Sequence, residues 1–202
     1  GQVTGMTVDI VAKAEQVLAG SFLAHVVYGG EYIRPAFDIA GDDDRELKDD
    51  YRGYLASQQP GWQLLTSAEM TAFSGGGDAG FTSGGLYNAR VDALITNSFD
   101  AQGLVAVEGD TLALSFRGTD LEDPAVVSGQ TFIGASLAAH YEAFKPLLDA
   151  AYDYVANHAE IQEIVVSGHS LGGAMVDVFA LVDAARFRAL RPDGLTMVSL
   201  AS

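Results

Sequence analysis

The sequence predicts an α/β architecture, with a mostly parallel central sheet and flanking helices, on three observations. Residues 161–200 read as strand, tight turn, helix and strand, a βαβ order that implies parallel pairing and a right-handed crossover. Ahead of that unit lie short β-branched segments and then a long helical pattern, so strands and helices share one chain without an internal repeat or linker. The composition is that of a globular chain, with 49% apolar and 19% charged residues. Its 202 residues suffice for a sizeable core within one domain.

Each element has its own signal. Residues 9–28 carry a helical stripe of Ile10, Val11, Ala14, Val17, Leu18, Phe22, Val26 and Val27, ended by Gly29-Gly30. An acidic stretch follows, Asp42-Asp43-Asp44 with Glu46, Asp49 and Asp50. A calcium loop starting at Asp42 would need Gly sixth and Glu twelfth, but Leu47 and Gly53 stand there, so a solvated turn and helix start is expected. Gly75-Gly76-Gly77 and Gly84-Gly85 mark a turn-rich loop. Residues 92–97, 103–107 and 111–116 read as strands, the last two joined through Glu108-Gly109-Asp110 as a hairpin. Residues 121–132 read as an irregular loop with Pro124 and Gly129 as punctuation. A helix is predicted over 136–157, with Pro146 as a kink or start. Beyond it come a strand at 161–167, a turn at 168–172, a helix at 173–188 and a strand at 195–200.

Charge and composition exclude several classes. Eleven basic against 27 acidic residues give a net charge of −16, a field that repels nucleic acid and anionic membrane surfaces. There is no cysteine, so disulfides, thiolate metal sites and cysteine nucleophiles are ruled out. No apolar stretch reaches the ~18–20 residues of a membrane span, and residues 1–6 do not read as a secretory signal.

Gly168-His169-Ser170-Leu171-Gly172 fits the pattern G-x-S-x-G. The apolar strand Ile164-Val165-Val166 runs into it and an amphipathic helix leaves it, the context a nucleophile elbow requires. So sharp a turn leaves no room for Cβ atoms two residues before and after the serine, where Gly168 and Gly172 stand. The hydroxyl of Ser170 then projects at the C-terminal edge of the sheet, and the N–H of Leu171, at a helix N-terminus, can face a developing oxyanion. A Walker loop is excluded, because Gly173-Ala174 stands where its Lys would be. A second oxyanion donor has to come from the loop after an earlier strand. Phe116-Arg117-Gly118-Thr119 ends the strand 111–116, and Thr119 offers both an N–H and a hydroxyl.

These two motifs, some fifty residues apart with a long helix between, resemble the class 3 lipase family, the fungal-type triacylglycerol lipases. The resemblance implies an α/β-hydrolase fold and hydrolysis of carboxylic esters by an acyl-enzyme on Ser170, with the amides of Leu171 and Thr119 as oxyanion donors. It also implies a lid at residues 121–132, a lipid or ester substrate, and no cofactor or metal. The absence of cysteine, the strong acidity and a lipase-like site suit an extracellular enzyme, and an intracellular esterase stays open. A phospholipase A1 or short-chain carboxylesterase stays open, because the elbow does not reveal the acyl pocket. So does a non-catalytic binding module that has lost its base.

In this fold the triad acid and histidine follow the nucleophile. No histidine follows Ser170; His25, His140, His158 and His169 all precede it. His169 adjoins the serine in a strand-like turn and should point away, while His140 and His158 belong to a surface-helix pattern and its end. Asp177, Asp183 and Asp193 do not stand beyond a later strand, where the acid is expected. The expectation is therefore that residues 1–202 are the N-terminal portion of a single α/β-hydrolase domain. The triad Asp and His would lie on an associated C-terminal fragment of the same protein.

Overall fold

The computed structural model describes residues 51–58, 60–70, 79–81, 84–91, 99–117, 133–169 and 171–200. In chain order these form α1 (Tyr51–Gln58), β1 (Gln63–Leu65), β2 (Ala79–Phe81), β3 (Tyr87–Val91), β4 (Phe99–Glu108), β5 (Thr111–Phe116), α2 (Ile133–Ala143), α3 (Lys145–Asn157), β6 (Glu163–His169), α4 (Leu171–Val182), α5 (Ala184–Leu190) and β7 (Leu195–Leu200). The expected helix at 9–28, the acidic stretch at 42–50, the strand at 92–97 and the loop at 121–132 lie outside the described residues.

All seven strands form one sheet in the order β2-β3-β4-β5-β6-β7, with β1 also pairing β4. The long strand β4 is shared along one edge: Phe99–Gly103 pairs with β3, while Val105 to Val107 pairs with β1. The expectation of a mostly parallel sheet needs correction. Pairing is antiparallel from β1 through β5, and parallel only for β5 with β6 and β6 with β7. Connection length is the reason. Glu108 pairs with Thr111 across a two-residue turn, with Gly109 at φ +57°, and so short a link closes only an antiparallel pair. The parallel pairs are the ones bridged by helices, α2 and α3 before β6 and α4 and α5 before β7.

Three strands, β1, β2 and β3, went unread in the sequence. β2 and β3 lie in and just beyond the glycine-rich stretch taken for a loop, and they pair Ala79 with Ala89 and Phe81 with Tyr87. They carry little alternation of their own. Their stability comes from packing, since Tyr87 is fully buried and its hydroxyl donates to the carbonyl of Ala143 at 2.6 Å.

Strand alternation divides the core in two. Leu112, Leu114 and Phe116 of β5 and Ile164 and Val166 of β6 pack with Phe144, Leu147, Leu148 and Val155 of α2–α3 and with Met175, Val176 and Phe179 of α4. Leu104, Ala106 and Ala113 belong to a second cluster with Leu55, Trp62, Leu64 and Leu86. Ser115 and Ser167 are both fully buried between these strands and satisfy each other, Oγ to Oγ, at 2.9 Å.

The helix predicted over 136–157 is two helices, with Phe144 at the junction and Pro146 in the first turn of α3, where its missing N–H costs nothing. The helix predicted over 173–188 also breaks, at Asp183. That buried carboxylate accepts from the Tyr141 hydroxyl and from Nε of Arg186 at 2.8 Å, and Arg186 reaches Asp149 at 2.9 Å, so α2, α3 and the α4–α5 junction are tied together. Among the described residues no helix is long and apolar enough to cross a membrane.

His140 differs from its reading as a surface histidine. It is 5% exposed on α2, its ring meets Phe144 edge-on at 5.6 Å, and its Nε2 has no hydrogen-bond partner. Burial pushes its pKa down to about 4 from an ordinary 6.5. The folded protein therefore holds His140 neutral where the unfolded chain takes up a proton, so this contribution is complete above pH 6.5 and is lost as pH falls towards 4. His140→Leu is expected to flatten the acid limb of stability between those values by on the order of 3 kcal/mol. Urea unfolding midpoints measured across that range check it; an unchanged slope would refute the assignment.

Candidate active site

The site is built from the two parallel pairings. β6 lies between β5 and β7, with Phe116 opposite Gly168 and Gly168 opposite Ser199, so three strand ends meet at the same level. β6 extends to His169 and α4 begins at Leu171, so a single residue separates strand from helix. That residue is Ser170, and it lies outside the described residues.

The price of so short a turn falls on the flanking residues. A Cβ on Gly168 would stand 2.1 Å from the carbonyl oxygen of Gly172 and 2.2 Å from its carbonyl carbon. A Cβ on Gly172 would stand 2.2 Å from the carbonyl oxygen of Phe116 and 3.2 Å from the carbonyl carbon of Arg117. Real side chains do not approach backbone so closely, so the strand end, the first turn of α4 and the exit of β5 touch backbone to backbone. Neither Gly168 nor Gly172 has room for a side chain. Ser199 adds a contact from the other flank, its Oγ donating to the carbonyl of Gly173 at 3.2 Å.

The electrostatics at this corner favour an anion. α4 spans 12 residues, and its first turn contains no acidic side chain. Its leading N–H groups, beginning with Leu171, lack partners within the helix, and the helix dipole adds to their positive end. Thr119, the other expected donor, lies outside the described residues, two positions past the last one described in this segment, Arg117.

The remaining candidates are dispersed. His140 is buried on α2, and His158 caps the end of α3, its Nδ1 2.7 Å from the carbonyl of Tyr154 and its ring stacked on Tyr154 at 3.7 Å. Asp183 is engaged with Tyr141 and Arg186, while Asp177 and Asp193 are exposed. His25, and the side chain of His169, are outside what is described.

One group near the site was missed. Gln102, 7% exposed on β4, accepts from Nη1 of Arg117 through Oε1 and donates Nε2 to Oδ1 of Asn88 at 2.7 Å. A lone amide between the apolar residues Ala101 and Leu104 was the available signal.

No protein-family model matches the chain, and no curated protein matches it. Among solved structures, the chain is similar to the lipase from Rhizopus microsporus var. chinensis, with a TM-score of 0.51 and 17% identity over 93% of this chain and 57% of that one. It also matches the Rhizomucor miehei triacylglyceride lipase, at a TM-score of 0.38 and 21% identity over 55% and 46% of the two chains. A complex of Rhizomucor miehei lipase with its propeptide follows, at 0.37 and 17% over 68% and 54%. The likeness in fold rests on the first of these, and the chain spans little more than half of that lipase's length, 57%.

The backbone contacts give a direct test. Gly168→Ala and Gly172→Ala should each lower stability by roughly 3–4 kcal/mol, in the severe range for single substitutions, or prevent folding. Gly80→Ala, where a Cβ meets nothing within 4 Å, should stay within about 0.5 kcal/mol of the parent. Chemical unfolding of the three variants checks this; equal stability throughout would refute the contact. A mixed sheet flanked by helices, similar over 93% of this chain to that of the Rhizopus lipase, is the α/β-hydrolase fold.

Proposed function

We propose that this chain carries the nucleophile half of a serine hydrolase that cleaves carboxylic esters, a lipase acting on acylglycerols. The observation that supports the reading is the pair of backbone contacts at Gly168 and Gly172, the glycines two positions before and after Ser170 in the sequence. Such a bend thrusts the residue at its apex outward over the sheet edge.

In the proposed reaction the Ser170 hydroxyl attacks the ester carbonyl while an imidazole takes its proton. The oxyanion is held by the amides of Leu171 and Thr119, and the leaving alcohol departs with that proton. Water, activated by the same imidazole, then attacks the acyl-serine and releases the acid. We infer that the imidazole and its carboxylate partner come from outside residues 1–202. Of the four histidines, His140 and His158 are committed to α2 and to the end of α3.

Ser170→Ala should lower p-nitrophenyl ester hydrolysis by roughly 10⁴–10⁶ without unfolding the protein, and retained turnover would end the proposal. Profiling acyl chain length, with phosphatidylcholine alongside, separates a lipase from a phospholipase A1 or a short-chain esterase. One other reading is a binding module without a base. A fluorophosphonate probe decides between them: labelling of Ser170 requires an activated nucleophile, and a silent serine favours the module.

A further inference from the structure

We propose that the cleft at the N-terminal ends of β6 and β7 binds a small organic cation, an alkylguanidinium or alkylammonium group, with the Glu163 carboxylate as its counter-charge. The seven residues of β6 separate this cleft from the turn at the other end of the strand, so it takes no part in the ester chemistry proposed there.

The cleft has a volume of about 400 Å³ and lies between the connection that enters β6 and the turn that enters β7. Backbone contacts fix its frame. The N–H groups of Gln162 and Glu163 both donate to the Asp110 carbonyl, at 2.8 and 3.1 Å, and the N–H of Ile164 donates to the Gly194 carbonyl at 2.7 Å. A Cβ on Gly194 would stand 2.1 Å from the carbonyl oxygen of Gln162, so the two walls meet backbone to backbone. A cleft held in this way is preformed, which lowers the cost of filling it.

Its charge is left uncompensated. Glu163 and Asp193 both line the cleft, and neither carboxylate forms an ion pair among the described residues. Oε2 of Glu163 is enclosed by protein and has no hydrogen-bond partner, an unfavourable state for an anionic oxygen that a cation beside it relieves. Arg191 lines the same cleft but is engaged elsewhere. Its Nη2 donates to the carbonyls of Val155 at 3.0 Å and His158 at 3.2 Å, Nη1 to Leu190 at 2.7 Å, and Nε to Ile161. Two carboxylates against that one guanidinium leave the cleft negative. Gln162 donates Nε2 to the Ala159 carbonyl at 2.5 Å, which keeps its Oε1 open to an N–H donor. A bare metal ion suits these donors poorly. Among the described residues no three His, Cys, Asp or Glu side chains gather, and 400 Å³ is the space of a small molecule. Ala159, Leu190 and Pro192 add apolar wall for an aliphatic stem beside the charge.

The test titrates the full protein with n-butylguanidinium, and with n-butylurea as a neutral counterpart of the same shape. Butylguanidinium is expected to bind with a Kd on the order of 0.1–1 mM, and butylurea at least ~10-fold more weakly. Glu163→Gln keeps the size of the side chain and removes its charge. It should weaken butylguanidinium binding ~10–100-fold, at an unchanged or raised melting temperature. General attraction to a chain of net charge −16 would survive that substitution almost undiminished, so equal affinity in the parent and Glu163→Gln overturns the site. Should Glu163→Gln fail to fold, Asp193→Lys in the exposed turn is expected to weaken binding ~3–10-fold, and an unchanged affinity there overturns the site as well. A blocked Gly-Arg-Gly tripeptide separates the two sources of this chemistry. Binding of both compounds assigns an arginine side chain of a partner as the ligand, and binding of butylguanidinium alone assigns a free small cation. No saturable binding, equal binding of butylurea, or a response to calcium without one to butylguanidinium would each sink the assignment.

Discussion

The carbonyl of Phe116 lies where a Cβ of residue 172 would stand, and the carbonyl of Gly172 lies where a Cβ of residue 168 would stand. These contacts decide how closely three pieces of backbone can meet: the exit of β5, the end of β6 and the start of α4. If either glycine carried a side chain, α4 would be pushed off the sheet. Its N-terminal amides would then no longer share a corner with the strand that leads to Thr119. The packing of this corner depends on that closeness, because backbone meets backbone there with no side chain between.

The rest of the structure holds this corner still. Phe116 is fully buried against Phe144, with ring centroids 4.8 Å apart, and Phe144 sits at the α2–α3 junction. Met175 and Phe179 seat α4 on the same core, and the Tyr141–Asp183–Arg186–Asp149 network locks the far ends of these helices to one another. At the opposite edge Arg191 donates to the carbonyls of Val155 at 3.0 Å and His158 at 3.2 Å, pinning the end of α3 beside the entry to β6.

Polar groups inside the sheet fall into two kinds. Ser115 and Ser167 pair with each other between β5 and β6 and go no further. Gln102 and Asn88 instead run towards Arg117, at the strand end where the site begins. A buried amide chain of this sort adds orientation that hydrophobic packing does not provide. His140, on α2 outside the sheet, is buried with its ring edge-on to Phe144 and Nε2 left unpaired, which ties the fold's stability to pH.

The βαβ unit at 161–200 and the glycine pair were legible in the sequence because each rests on local rules. Apolar runs of strand length, helical periodicity and the steric demand of a sharp turn can all be read without knowing the rest of the fold. Pairing direction among β1 to β5, the strands inside the glycine-rich stretch, the helix breaks at Phe144 and Asp183 and the burial of His140 were not legible. Each of those depends on a partner distant in sequence, such as Ala143 for Tyr87, Tyr141 for Asp183 or Arg117 for Gln102. By itself, then, the sequence determined where the chain must bend and which residues the bend forbids from carrying a side chain. Only the tertiary structure decided what that bend is pressed against, because van der Waals contact and buried hydrogen bonds exist only once distant segments have met.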